Sequence, residues 1–237
     1  MPDRTTHHAS VRTARIAGAF YLLTIIAGVF AEAFVRGRLV VRADAVATAT
    51  NILANETLYR AGLVADLVML ASYVVVTALF YELFRPVRRS VSLVAAGFSL
   101  VGIAVLAANC LNHLAPLVLL DSTTYQSAVQ VSQLQALSLV ALRMHARGYA
   151  IATVFFGVYC VLIGWLAYKS AFLPRVLGAL MAIGGVAYLV SSITGLLSPS
   201  LASHLPDLGV IGGVAELALS IWLIVRGTNV TRIQELA

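Results

Sequence analysis

Apolar residues run along this chain in long blocks, broken by short polar and charged segments. At about 1.5 Å of rise per helical residue, a block needs roughly 20 residues to cross about 30 Å of hydrocarbon. Six blocks reach or approach that length: residues 16–35, 59–84, 91–120, 149–168, 176–197 and 208–225. The pattern predicts an all-α polytopic membrane protein, one six-helix membrane domain over residues 1–237, with residues 1–11 as a polar cytoplasmic tail. The third block exceeds what a crossing needs, so it should tilt, project from the bilayer or bend near Pro116.

Two connections, 36–58 and 121–148, are longer than a simple link and rich in Ala, Thr, Ser, Gln and Val. Gln126, Gln130 and Gln133 recur at helical spacing in the second. Each connection is expected to form a short amphipathic helix at the outer surface, covering the bundle. Orientation follows from the cations. With the N-terminus in the cytoplasm, ten of the 16 Lys and Arg fall inside, and Arg36, Arg38, Arg42, Arg60, Arg143 and Arg147 fall outside. The short turns 85–90 and 169–175 carry most of this bias, which places both termini in the cytoplasm and the chain in the cell membrane as a multi-pass protein. Ala31-Glu32-Ala33, after an apolar stretch, also resembles a signal-peptidase site. The apolar run continues through Val35, which favours an uncleaved first span.

Composition strengthens the membrane reading. Sixty per cent of residues are hydrophobic, 11% are charged and the mean hydropathy is +0.93, against about a quarter charged in a soluble domain. The lipid bilayer is therefore the first partner. A net charge of +6 does not indicate nucleic acid, because the basic residues stand at block ends without interleaved aromatics. Cys110 and Cys160 fall inside apolar blocks and read as small packing residues.

Several stretches resemble a known family. They are Met144-His145-Ala146-Arg147-Gly148-Tyr149, Phe155-Phe156-Gly157, the run Lys169 to Gly178 with its Phe172-Leu173-Pro174-Arg175 turn, and Tyr188-Leu189. Near the start, Arg15-Ile16-Ala17-Gly18, Tyr21-Leu22 and Ala31-Glu32 belong with them. Together they resemble the bacterial family of uncharacterised membrane proteins called domain-of-unknown-function 4386. The resemblance implies a multi-span protein of this length and carries no catalytic residues with it.

Candidate chemistry gathers in the outer leaflet. Counted from the nearest outer boundary, Glu32, Asp66, His113 and Glu216 lie roughly 6, 9, 12 and 13 Å deep at about 1.5 Å per residue. Ionisable residues inside a membrane cost about 2.5–3.5 kcal/mol even on lenient scales, so they usually face the bundle and find partners. Asn109 and Asn112 flank His113 on nearly one face, where an amide one turn away would fix a ring nitrogen. Pro116 cannot donate to the Asn112 carbonyl, which leaves that oxygen available. His145 and Arg147, with Arg143, stand at the outer mouth. Gly28, Gly62 and Gly212 each precede an acid by one turn, where a missing side chain makes room for water, a helix or a ligand. Gly209 and Gly213 read as a close-packing pair. Glu82, three residues before Arg85, reads as an interfacial ion pair.

Three functions fit these residues. The first is a pocket in the outer half of the bundle that binds or moves a small solute or ion, with Glu32, Asp66 and Glu216 as proton or cation sites and His113 as relay. The second is a membrane-embedded hydrolase using a metal on His113, His145 and acids, although neither HExxH nor GxSxG occurs. In the third, the polar residues only hold helices together, the acids being protonated or paired with Arg147. The sequence names no cofactor and leaves the oligomeric state open.

Overall fold

The computed structural model describes residues 4–121, 129–202, 204, 206 and 208–228. Every regular element among them is helical. Helix α1, Arg4–Val29, passes without a break into a π-helical segment, Phe30–Arg36, and a last turn, Gly37–Leu39. Helix α2, Ala45–Ala54, begins at Asp44, whose Oδ1 accepts the Ala47 N–H at 2.8 Å. The run Glu56–Leu119 is broken at Arg88, where φ is −162° and ψ 100°. Residues 56–87 are α3 and residues 89–119 are α4. Next come α5, Val131–Lys169, and α6, Arg175–Leu197, then α7, Pro199–Ala202, and α8, Gly209–Val225.

Four runs are long and apolar enough to cross a membrane: Val11–Leu39, Glu56–Leu119, Val131–Lys169 and Arg175–Leu197. α8 is a shorter apolar helix. The 64-residue run doubles back at Arg88. Ser92 donates to the Tyr81 carbonyl at 3.1 Å, the Thr77 and Ser99 hydroxyls lie 2.6 Å apart, and Asp66 meets His113, so α3 and α4 are antiparallel. α4 continues through Pro116 with helical geometry, and the break falls beside Pro86 instead.

Some boundaries depart from the hydropathy pattern. Helix begins at Arg4, inside the expected polar tail. α5 begins 18 residues before the expected fourth span, at Val131 rather than residue 149. No break separates a surface helix from that span. Gln130 and Gln133 form a reciprocal cap at its start, and Leu134, Leu139 and Leu142 on its first turns are buried. Gln126 lies outside the described residues. α2 lies within the first long connection and buries Thr48, Ala49 and Ile52.

The core is built on aromatic rings and glycine contacts. Tyr21 meets Phe80 edge-on at 5.5 Å, Tyr73 packs on Phe156 at 4.8 Å, and Phe84 reaches Phe172 at 5.8 Å. α5 and α6 touch backbone to backbone at Gly157 with Gly185 and at Gly164 with Gly178. Pro174 stands just before α6 as its N-cap, where the missing N–H costs nothing. A second cluster of Val35, Leu39, Ile52, Tyr59, Leu120 and Leu142 closes over the region where α1 ends.

Candidate functional site

The π-helical segment decides where the site forms. A π turn accommodates an extra residue and shifts the register of the side chains that follow it. Arg36, its last residue, is 6% exposed, although it reads in the sequence as an outer boundary residue. Its guanidinium donates from Nη1 to Asp66 Oδ2 at 2.5 Å and from Nη2 to Asp66 Oδ1 at 3.1 Å, a two-pronged pair. Nε donates to Glu32 Oε2 at 2.8 Å. Nη1 also lies 2.9 Å from His113 Nδ1.

A guanidinium only donates, so His113 Nδ1 must accept, and the ring proton sits on Nε2, facing the Tyr59 carbonyl at 3.3 Å. Asp66 Oδ2 and His113 Nδ1, 3.3 Å apart, are therefore two acceptors held together by one shared donor. Tyr59 locks the arrangement: its hydroxyl donates to the His113 carbonyl at 2.6 Å and its ring packs on the imidazole at 4.5 Å. The outside donor thus reaches the His113 carbonyl, one residue beyond the oxygen that Pro116 was expected to leave available. Tyr59→Phe keeps the ring and removes that donor. It is expected to cost about 1 kcal/mol, a fall of about 2–4 °C in melting temperature for a chain of this length, measured in detergent.

The asparagines serve a different histidine from the one their spacing suggested. Asn109 Nδ2 donates to the His145 carbonyl at 2.8 Å, and His145 Nδ1 returns a bond to the Asn109 carbonyl at 3.2 Å. Asn112 donates to Asn109 Oδ1 at 2.9 Å. The amides therefore clamp α4 to α5 rather than fixing His113. A Cβ at Gly148 would strike the Asn109 amide, so that glycine gives the clamp its space. His145 is 5% exposed rather than at a solvated mouth, stands edge-on to His113 at 5.6 Å, and keeps a buried Nε2 with no partner among the described residues.

Asp66, His113 and His145 place ligand atoms within 4.8 Å of one another, a donor set suited to a transition metal such as zinc. Arg36 already holds two of the three, so a metal would have to displace a guanidinium making four polar contacts. Arg147 does not pair with the acids. Its Nη1 donates to the Gly195 carbonyl at 2.6 Å, while Arg143 donates to the Arg42 carbonyl at 3.1 Å. Arg36, Arg42, Arg143 and Arg147 line a cavity of about 700 Å³ together with His145 and Glu32. Sequence reasoning set Arg36 and Arg42 aside as topology markers. It also passed over Tyr59.

Glu216 belongs elsewhere. It accepts from the Cys160 thiol at 3.5 Å and the Tyr188 hydroxyl at 3.3 Å, and it faces a second cavity of about 260 Å³. Cys160 is thus more than a packing residue. The glycines one turn before the acids make room for neighbouring helices: Gly28 for Met69, Gly62 for Val35 and Gly212 for Tyr188. A Cβ at Gly213 would meet nothing within 4 Å, so the close contact on α8 lies at Gly212. Glu82 pairs with Arg85 at 3.2 Å.

One comparison gives a family, and none gives an activity. The family described as "Domain of unknown function (DUF4386)" matches residues 16–227. An uncharacterized protein of the archaeon Archaeoglobus fulgidus is 23% identical over 160 residues, covering 68% of this chain and 80% of that one. No solved structure matches the chain. With the match extending over most of its length, the chain belongs to the DUF4386 family.

Proposed function

We propose that this protein crosses the cell membrane six times, with both termini in the cytoplasm and one domain over its whole length, and that it binds or moves a small anionic solute in the outer half of the bundle. The six crossings are α1, α3, α4, α5, α6 and α8. The candidate ligand-facing residues are Arg36, His145, Arg147 and Glu32, joined by Arg42 and Arg143, with Asp66, His113, Asn109 and Asn112 as their supports and Glu216 in a neighbouring cavity.

One observation carries the reading: four arginines line a single cavity whose other charged wall residue is Glu32. Asp66 and Glu32 neutralise part of that charge through Arg36, leaving two positive charges in excess. Arg42, Arg143 and Arg147 are exposed toward the cavity side of the fold, and their side chains are not engaged by carboxylates in any ion pair among the described residues. Such a surface attracts anions, and a guanidinium suits phosphate or carboxylate geometry. Arg36 differs from the others in being fixed from behind, as a binding group should be if its geometry is to hold in the absence of ligand.

Inorganic phosphate and citrate test this in purified protein. A ligand that binds the folded state raises the melting temperature by mass action. Arg143→Gln with Arg147→Gln is expected to weaken the bound anion at least tenfold, which is about 1.4 kcal/mol. If neither anion raises the melting temperature of the wild type more than that of the double variant, the reading fails.

A further inference from the structure

The second cavity differs in chemistry from the first. It lies among α1, α3, α4, α5, α6 and α8, and its wall carries two carboxylates, Glu216 and Glu32, and four aromatic side chains, Tyr73, Tyr149, Phe156 and Tyr188. No Lys, Arg or His is on that wall among the described residues. Glu32 and Tyr149 line both cavities, so the two adjoin.

Glu216 is half-buried in a strongly apolar helix and the donors that face it are all uncharged, the Cys160 thiol and the hydroxyls of Tyr188, Tyr21 and Tyr73, where a buried carboxylate calls for a cation. The wall excludes most candidates for that cation. A hard metal ion takes six or more oxygens. Among the described residues the clustered metal-type ligands lie elsewhere, on Asp66, His113 and His145, and on this wall Glu32 is already held by Arg36, which leaves Glu216 and scattered threonine and tyrosine hydroxyls on an otherwise aromatic and aliphatic surface. A weakly hydrated organic cation needs few oxygens and gains from the faces of aromatic rings. From the cavity lined by Glu216, Glu32, Tyr73, Tyr149, Phe156 and Tyr188, we infer that it is a binding site for a small organic ammonium ion. This site adjoins the arginine-lined cavity but differs from it in chemistry, and it does not depend on that cavity's ligand.

Choline chloride is the probe, titrated calorimetrically into the purified full chain against sodium chloride at equal ionic strength. Choline should bind and sodium should not compete at the same concentration. Glu216→Gln should weaken choline at least tenfold, and Tyr188→Leu should do so by removing a ring face. Tyr188→Phe, which keeps the ring, should stay within threefold of wild type. Gly213→Val offers an independent block, because open space surrounds that position and the residue lines the cavity, so the variant should melt like wild type and lose choline. No choline binding, or binding unchanged in both Glu216→Gln and Gly213→Val, overturns the inference. Phosphate titration of the same samples separates the two cavities: phosphate bound without choline overturns this site and leaves the arginine cavity standing, whereas choline bound without phosphate supports it alone.

Discussion

Arg36→Met is expected to destabilise the protein by about 3–5 kcal/mol, the usual cost of leaving one member of a buried ion pair behind. At about 2–4 °C per kcal/mol for a chain of this size, the melting temperature should fall by on the order of 10 °C. The geometry explains the size of the effect. Asp66 is 3% exposed and His113 fully buried, and without Arg36 their facing atoms are two acceptors 3.3 Å apart with nothing between them. Glu32 contributes less, since its side chain is largely exposed and its pairing correspondingly screened. The penalty therefore belongs to the carboxylate left behind. Asp66→Asn in the Arg36→Met background removes that charge and provides an amide donor toward His113, so the double variant should regain at least half of the loss. Arg36→Lys should fall between, because an ammonium cannot span acceptors on three residues. Thermal unfolding in detergent decides the matter: a single variant that melts with wild type, or a double variant no better than the single, would show that the pair is not what holds these helices.

Much of the helical architecture was legible in the apolar blocks, and the reasons for the exceptions are physical. α5 starts early because the glutamines and serines of its first turns read as loop, while the leucines between them pack inward. Arg36 was hidden by the counting rule itself. The first cation after an apolar stretch marks a boundary only when that cation is solvated, and one compensated by two carboxylates can lie deeper. The sequence did hold a signal for it: Glu32 and Arg36 are four residues apart and share a helix face. Depth counting placed Asp66 and His113 at compatible levels, and they do meet. It also set Glu216 beside them, yet Glu216 turns toward Cys160 and Tyr188. Depth is one coordinate of a residue in a bundle. Rotation about the helix axis is another, and a π turn in α1 or the packing of α8 sets it by contacts far away in sequence.

The glycines of α5 and α6 show how such contacts reach the binding cavities, and Gly178→Val should be the second most damaging single change. A Cβ there would lie 2.7 Å from the Gly164 carbonyl oxygen and 2.7 Å from Tyr168 Cα, both belonging to the backbone of α5. A side chain can rotate away from such a contact, but a helix backbone cannot, so the two helices must separate. Overpacking usually costs about 1–3 kcal/mol, and a backbone obstacle belongs at the upper end of that range. Gly164→Val should behave alike, since it meets the same seam from the other side, with the Gly178 carbonyl oxygen at 2.7 Å. Gly97 and Gly195 are the controls. Neither has an atom within 4 Å of a built Cβ, and alanine at either should be neutral or add up to about 1 kcal/mol by restricting the unfolded chain. The seam also matters to ligand binding. α5 carries Arg143, His145, Arg147 and Tyr149, while α6 carries Tyr188. Gly157 meets Gly185 three residues before Tyr188, so spreading the helices would carry that ring away from Glu216. Gly178→Val should therefore weaken choline more than phosphate, because the phosphate-facing arginines of this pair of helices all lie on α5. Equal losses of both ligands would mean that the seam acts only through global stability.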